Sequence, residues 1–285
     1  EDEKPDCSAL AQASIDAATA LLDGLTPIEQ ALIKAIPARY PASSNIEDFS
    51  PWNDAFADAM RKVHANHSHD LDVCAIFAEA IMNRTPWQLW DLPTGKPAKG
   101  ANTLEAIDVL DRAFDTLPGA WEHAGLLHMY IHLMEMSPHP EKALRHGDAL
   151  STLIPDAGHL LHMPTHVDVL CGDYMNVVLR NDAAIVADSK FLEREGPDNF
   201  YSVYRAHNYH FKIYGAMFLG QPSAALKAAE DLISTLPTET LKPMADWFEG
   251  FIPMKQHVLI RFGRWQDILD QALPEDEELY CVTLA

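Results

Sequence analysis

The chain has few cysteines and no long apolar run. Its four cysteines, Cys7, Cys74, Cys171 and Cys281, lie far apart and form no CxxC pair. Such spacing favours reduced thiols in a cytoplasmic protein over a disulfide framework. No stretch is long and apolar enough to span a bilayer, and the first residues do not resemble a signal peptide. We therefore expect a cytoplasmic protein without a membrane partner.

Basic residues are also scarce. The sequence holds 21 lysines and arginines against 42 acidic residues, a formal net charge of −21. The basic residues are scattered, and no cluster among them could follow a phosphate backbone. The charge argues against nucleic acid as a partner and favours a basic or cationic one.

Common catalytic signatures are missing as well. The sequence contains no GxSxG elbow, no GxxxxGK[ST] phosphate loop, no GxGxxG fingerprint and no HExxH helix. Serine hydrolases, NTPases, dinucleotide-dependent dehydrogenases and zincin-type metalloproteases are therefore unsupported as classes.

No alternation of apolar and polar residues predicts a sheet. Apolar residues instead recur at spacings of three and four, which predicts an all-α protein. The first predicted helices cover residues 7–23, 27–38, 51–66, 70–83 and 102–116. Residues 87–99, which contain two prolines and a glycine, are predicted to be the longest loop. We accordingly divide the chain into N-terminal helical repeats at 1–92, a loop at 93–101 and a histidine-rich part at 102–285 that continues the first.

Three similar turns recur in the histidine-rich part. They read Cys171-Gly172-Asp173-Tyr174, Leu219-Gly220-Gln221-Pro222 and Phe262-Gly263-Arg264-Trp265. Each turn ends one predicted helix and opens another, and Ser137-Pro138 forms a degenerate fourth. The turns lie 34 to 48 residues apart. This spacing predicts a solenoid of antiparallel helix pairs, each of which buries its apolar face against its neighbours.

Histidines stand at matching positions before these turns. The residues thirteen, ten and six positions before Gly172 are His159, His162 and His166. The same three positions before Gly220 hold His207, His210 and Tyr214. His257 lies six positions before Gly263, and His128 and His132 lie ten and six before Pro138. Because the first helices of solenoid repeats lie side by side, matching offsets predict neighbouring side chains.

Longer strings add a family resemblance. They are PWNDAFADAM (51–60), LLHMYIHLMEMSPHPEKAL (126–144), PDAGHLLHMPTHVDVLCGDY (155–174), YRAHNYHF (204–211) and HVLIRFGRW (257–265). Over about residues 27–285 the chain resembles a histidine-rich subgroup of bacterial and fungal tetratricopeptide-repeat (TPR) domain proteins. The resemblance implies a TPR-like α-solenoid and leaves the chemistry open. It also implies further repeats on both sides, so we expect the chain to be part of a longer protein.

Imidazole is the commonest transition-metal ligand, so a convergence of histidines predicts a metal site. The predicted ligands are His123, His128, His132, His159, His162, His166, His207, His210 and His257. His123 is either a ligand or the cap of the helix that carries His128. Glu135 is predicted as a ligand or general base, and Tyr214 as a catalytic proton donor. The number of ligands allows one metal ion or two.

Nitrogen ligands without thiolates suit copper, iron or zinc. Copper would imply oxidation of a small-molecule substrate, and zinc its hydrolysis by activated water. We therefore predict a metal-dependent enzyme, an oxidoreductase or a hydrolase, with its centre in the concave groove.

Two other interpretations fit the same histidines. A TPR-type scaffold would bind a peptide or protein partner in its groove without catalysis. A buried ladder of hydrogen-bonded imidazoles would specify how the repeats pack. We favour the metal centre because a shared centre requires histidines at matching offsets, whereas a binding groove does not.

Overall fold

The structure, a computed structural model, describes residues 7–41, 48–236, 242 and 245–272. Helices make up nearly all of its regular structure, so the predicted all-α class is confirmed. None of the helices in these residues has the length and apolar character needed to cross a membrane. The chain divides into two compact units, Glu1–Pro140 and Glu141–Ala285, and the division lies well beyond the predicted loop at 93–101.

The first unit is built from successive helices that pack against their neighbours. Its helices are α1 (Cys7–Ala20), α2 (Pro27–Ala35), α3 (Ser50–His67), α4 (Leu71–Met82), α5 (Thr103–Thr116) and α6 (Ala124–Met134). The five helices predicted from periodicity are present, with bounds shifted by at most three residues. Local capping explains two of the starts. Thr26 and Glu29 form a capping box at α2, and Asp70 accepts the amide of Val73 at α4.

The predicted loop contains a small antiparallel hairpin. Strands β1 (Trp90–Asp91) and β2 (Lys96–Pro97) pair, and Gly95 at the turn has a φ of +65°. The indole of Trp90 donates to the carbonyl of Leu133 at 2.7 Å, which fastens the hairpin to the end of α6. Strands of two residues are too short to leave an alternating pattern in the sequence.

The core of the first unit surrounds α4. Val73, Phe77 and Ile81 of this helix are almost completely buried, and α4 packs against α3, α5 and α6. Leu126, Leu127 and Ile131 of α6 are completely buried in the same unit. The high apolar content of α4 and α6 is therefore explained by burial on most sides.

The second unit continues with further helices. They are α7 (Leu144–Leu150), α8 (Gly158–His162), α9 (Pro164–Cys171), α10 (Tyr174–Glu195), α11 (Tyr201–Phe218), α12 (Pro222–Ser234), α13 (Ala245–Phe248), α14 (Met254–Arg261) and α15 (Trp265–Leu269). The three predicted turns follow α9, α11 and α14. Their glycines, Gly172, Gly220 and Gly263, have φ values of +80°, +69° and +65°. This left-handed conformation is readily adopted only by glycine, which explains the recurrence of glycine at the three turns.

The histidine-bearing segment before Gly172 is broken into α8 and α9. Pro164 opens α9 and has no amide hydrogen to donate to the preceding turn. The hydroxyl of Thr165 donates to the carbonyl of His162 at 2.7 Å, and this bond supports the backbone at the break.

Helix α11 is the central element of the second unit. It packs against α10 and α12 and also contacts α8 and α14. Ile213 and Ala216 of α11 are completely buried in a cluster with Leu232, Phe248 and Val258. This apolar cluster fixes α11 within the unit, and α11 carries His207 and His210.

Candidate metal centre

Three imidazoles meet in the second unit, one each from α8, α9 and α11. The Nε2 atoms of His162 and His166 are 2.9 Å apart, and those of His166 and His207 are 3.4 Å apart. One ring nitrogen from each of the three lies within 4.8 Å of the other two. His162 is completely buried, and His166 and His207 are half-buried.

The spacing of these nitrogens fits a metal ion. Histidine nitrogens bind zinc at about 2.0–2.1 Å, which places two tetrahedral ligands about 3.3 Å apart. The 3.4 Å pair matches that separation. The 2.9 Å pair corresponds to a narrower angle at the metal, of about 90° for bonds of this length. The donor set, nitrogen only, suits zinc, copper or iron.

Asn181 of α10 fixes the tautomer of His162. The Nδ2 group of Asn181 donates to the carbonyl of Val177 at 2.8 Å, so its Oδ1 atom is the one that faces His162. His162 must then donate its Nδ1 hydrogen to this oxygen, at 2.7 Å. The Nε2 lone pair of His162 is left directed at the other two imidazoles, as a metal ligand requires.

Burial keeps His162 uncharged. Loss of solvent lowers the pKa of His162 well below its usual value, and the neighbouring imidazoles of His166 and His207 lower it further. The hydrogen bond with Asn181 opposes this shift but does not reverse it. His162 is therefore neutral at physiological pH, the state in which imidazole binds metals.

An aromatic ring borders all three imidazoles. The ring of Phe211 stacks on His166 at a centroid distance of 4.9 Å and meets His162 and His207 edge-on at 4.9 and 4.7 Å. Phe211 offers no ligand atom, so it forms an apolar wall on this side of the centre. Such a wall excludes water and restricts the rotation of the imidazoles.

The other predicted residues of the second unit make contacts of their own. The ring of His159 packs on Tyr204 at 5.1 Å, one helical turn before His162. His210 lies 5.6 Å from the ring of Phe251, and burial lowers the pKa of His210, with a smaller effect from His257. His257 is exposed. Tyr214 is also exposed, and its ring packs on Phe218 at 4.6 Å.

The predicted residues of the first unit lie on α6 or at its ends. His123 caps this helix: its Nδ1 atom accepts the amide of Leu126 at 3.1 Å, and its Nε2 atom faces Asp72 at 3.1 Å. The rings of His128 and His132 lie 4.6 Å apart, and His132 Nδ1 is 2.9 Å from Glu135 Oε1. His123 was predicted to be either a metal ligand or the cap of the helix, and in the structure it is the cap.

A three-residue slip separates the observed contacts from the offsets counted in the sequence. Counting from Gly172 and Gly220 pairs residues 48 apart. The observed ring contacts join His159 to Tyr204, His162 to His207 and His166 to Phe211, each pair 45 apart. A residue count from a turn does not give the position along a helix axis, because the height at which two helices pack is set by contacts between their side chains.

Asn181 and Phe211 border the centre but were not predicted from the sequence. One signal for Asn181 is visible. Val177, Asn181, Ala184 and Asp188 lie on one stripe of α10, and all four are buried. A polar residue on a buried stripe requires a hydrogen-bond partner, so a contact with another polar side chain is expected there.

Comparisons with protein-family models, with curated proteins and with solved structures found no match for this chain. The resemblance to TPR proteins therefore remains a prediction, and the geometry of the three imidazoles is the basis for assigning a function.

Proposed function

We propose that the second unit binds one transition-metal ion through His162, His166 and His207, and that the protein is a metal-dependent enzyme acting on a small molecule. The observation that carries this proposal is the meeting of the three imidazoles, with Nε2 of His166 at 2.9 Å from Nε2 of His162 and at 3.4 Å from Nε2 of His207. Three nitrogen ligands leave a fourth position open, which is typical of catalytic rather than structural metal sites. A bound ion would activate water for hydrolysis if it is zinc, or supply redox chemistry if it is copper or iron.

The surrounding side chains support this assignment. Asn181 accepts a hydrogen bond from Nδ1 of His162, and the hydroxyl of Thr165 donates one to the carbonyl of the same histidine. Oriented imidazoles of this kind are the usual outer support of a metal site. Phe211 covers one side of the three imidazoles.

A network of hydrogen bonds between imidazoles is the competing explanation. Because Asn181 takes the Nδ1 hydrogen of His162, His166 would have to donate from Nε2 across the 2.9 Å gap. The same His166 atom lies 3.4 Å from Nε2 of His207. A metal ion would bind all three lone pairs at once, whereas a hydrogen-bond network must protonate some of these nitrogens.

We also propose that the second unit is a TPR-type solenoid. The left-handed glycine at the end of α9, α11 and α14 supports this, because each glycine is followed by another helix. The contacts of α11 with both α8 and α14 are those expected of the first helices in neighbouring repeats.

Metal titration tests the proposed centre. We expect the untagged protein, freed of metal by a chelator, to bind one equivalent of Co²⁺ or Zn²⁺ by calorimetry. The double substitution His166→Gln/His207→Gln removes two ligands and is expected to weaken binding by at least about 100-fold. His257→Gln is the matched control, because His257 is exposed in the same unit and is also a predicted ligand.

Two results would contradict the proposal. Equal binding by the double variant and the wild-type protein would place the metal elsewhere. No binding by the wild-type protein would exclude a metal centre, and a scaffold for a peptide or protein partner would then be the better interpretation.

A further inference from the structure

A buried carboxylate lies on the same stripe of α10 as Asn181. Asp188 is 1% exposed. Its Oδ1 atom accepts the phenolic hydrogen of Tyr201 at 2.8 Å, and its Oδ2 atom accepts from Nδ2 of Asn208 at 2.7 Å. Tyr201 and Asn208 both belong to α11, and Asn208 directly follows His207. Asp188 therefore connects α10 to the helix that carries one of the three imidazoles.

The same carboxylate lies against the first residue of α8. A Cβ atom added to Gly158 would overlap Oδ1 and Cγ of Asp188, and it would lie 3.1 Å from the carbonyl oxygen of Ala184. Only glycine allows α8 to approach α10 this closely. Because α8 carries His162 four residues later, Asp188 contacts both helices whose imidazoles meet.

Burying a carboxylate at this position costs desolvation free energy. Burial raises the pKa of Asp188, although the hydrogen bonds from Tyr201 and Asn208 oppose the shift. An apolar side chain could fill the space without this desolvation cost, but it could not hold two hydrogen bonds to α11 in a fixed direction. The two bonds join α10 to α11, and Gly158 brings α8 against the same carboxylate.

We infer that Asp188 is a positioning residue for the metal centre: it sets the placement of α11 against α8 so that Nε2 of His207 reaches His162 and His166. This inference rests on the proposed function. The hydrogen bonds of Asp188 go to Tyr201 and Asn208, so it acts on the imidazoles through the placement of the two helices and not as a ligand.

Two substitutions perturb this contact from opposite sides. Gly158→Ala would push α8 away from Asp188, and Asp188→Ala would remove the carboxylate. We expect each to weaken Co²⁺ binding by the full chain about 10-fold or more, as loss of outer support does at other metal sites. The double variant is expected to bind only slightly more weakly than Asp188→Ala alone, because the overlap of the added methyl group with the carboxylate is gone and only its 3.1 Å approach to the carbonyl oxygen of Ala184 remains. Gly250→Ala is the control, since a Cβ there meets nothing within 4 Å.

Stability and spectra distinguish positioning from a general structural role. We expect the visible absorption of bound Co²⁺ to change in Asp188→Ala and Gly158→Ala, while the helical circular dichroism at the assay temperature stays that of the wild type. Asp188→Asn keeps the shape and the acceptor for Tyr201, so its affinity should lie nearer the wild-type value.

Three outcomes would overturn the inference. Wild-type affinity and spectrum in both single variants, despite a lower melting temperature, would leave Asp188 with a role in stability alone. Additive weakening in the double variant would refute the contact between Gly158 and Asp188 as the cause. Absence of Co²⁺ binding by the wild-type protein would overturn the proposed function itself, and this inference with it.

Discussion

Two buried histidines of the second unit, His162 and His146, have different surroundings. His162 is bonded to Asn181 and faces two other imidazoles, whereas His146 lies on α7 and is 7% exposed. Burial lowers the pKa of His146 to about 4 from an ordinary value of 6.5. Folding therefore keeps His146 neutral in a pH range where the unfolded chain would protonate it.

His146 is expected to make the protein sensitive to mild acid. Above pH 6.5 the residue is neutral in both states, and between pH 6.5 and about 4 the unfolded state binds the additional proton. The free energy of unfolding should thus fall as the pH falls, by up to about 1.4 kcal/mol per pH unit from this residue. His146→Gln should make this slope shallower, measured by urea unfolding at several pH values.

Exposed His139 supplies the control for this measurement. His139→Gln removes an exposed histidine instead of a buried one, so its slope is the reference against which that of His146→Gln is compared. An identical slope in His146→Gln would show that His146 does not carry the acid sensitivity.

The individual residues of the candidate site also show how much of it could be predicted from the sequence. The histidines of the centre were recognisable by type and spacing. Asn181 could be noticed only as a polar residue on an apolar stripe, and its contact with His162 depends on the rotation of α10 about its own axis. The fixed tautomer of His162 follows from that long-range contact and could not be predicted from local spacing.

Among the helices and turns, the left-handed glycines depend least on contacts with distant parts of the chain. Gly172 has a φ of +80°, and a Cβ there would meet nothing within 4 Å. Gly172→Ala should therefore lower the free energy of unfolding by about 1–2 kcal/mol through backbone strain alone. Chemical denaturation of the variant measures this loss, and Gly250→Ala, which has no positive φ, is the matched control. Equal stability of both variants would show that the turn after α9 does not need a left-handed residue.

Which helices pack together, and at what relative height, was harder to predict from the sequence than the presence of the helices. Periodicity and capping residues act within a few positions, so the bounds of α2 to α5 lie close to the predicted ones. The relative height of α8 and α11 depends on contacts between helices, and those of Asp188 join residues 13 to 30 positions apart. The three-residue slip between α8 and α11 could therefore not be counted from the turns.

For the molecule as a whole, the division into two units makes the effect of a metal ion testable by region. An ion that binds only the folded state stabilises it by about 2.7 kcal/mol when its free concentration is 100 times Kd. We expect the amides of α8, α9 and α11 to exchange with solvent more slowly when Zn²⁺ is present. The amides of α2 to α5, in the first unit, should keep their exchange rates.

Hydrogen exchange followed by mass spectrometry measures both regions in one experiment. Removal of Zn²⁺ with a chelator should restore the faster exchange in α8, α9 and α11. Equal protection of both units would contradict a site confined to His162, His166 and His207, and no protection in either would contradict the centre altogether.

The sequence by itself determined the features that depend on neighbouring residues. Apolar spacing defined the all-α class, and the glycines before residues 173, 221 and 264 marked the turns. Periodicity and turn chemistry are local, so one sequence suffices to predict them.

Only the tertiary structure decided which side chains meet. Ring nitrogens of three imidazoles of the second unit lie within 4.8 Å of one another, His123 caps α6, and a hairpin occupies the predicted loop. These outcomes depend on translations and rotations of packed helices, which are set by contacts between residues far apart in the sequence. A shift of a single helical turn exchanges one candidate ligand for another, and residue spacing within one helix contains no information about that shift.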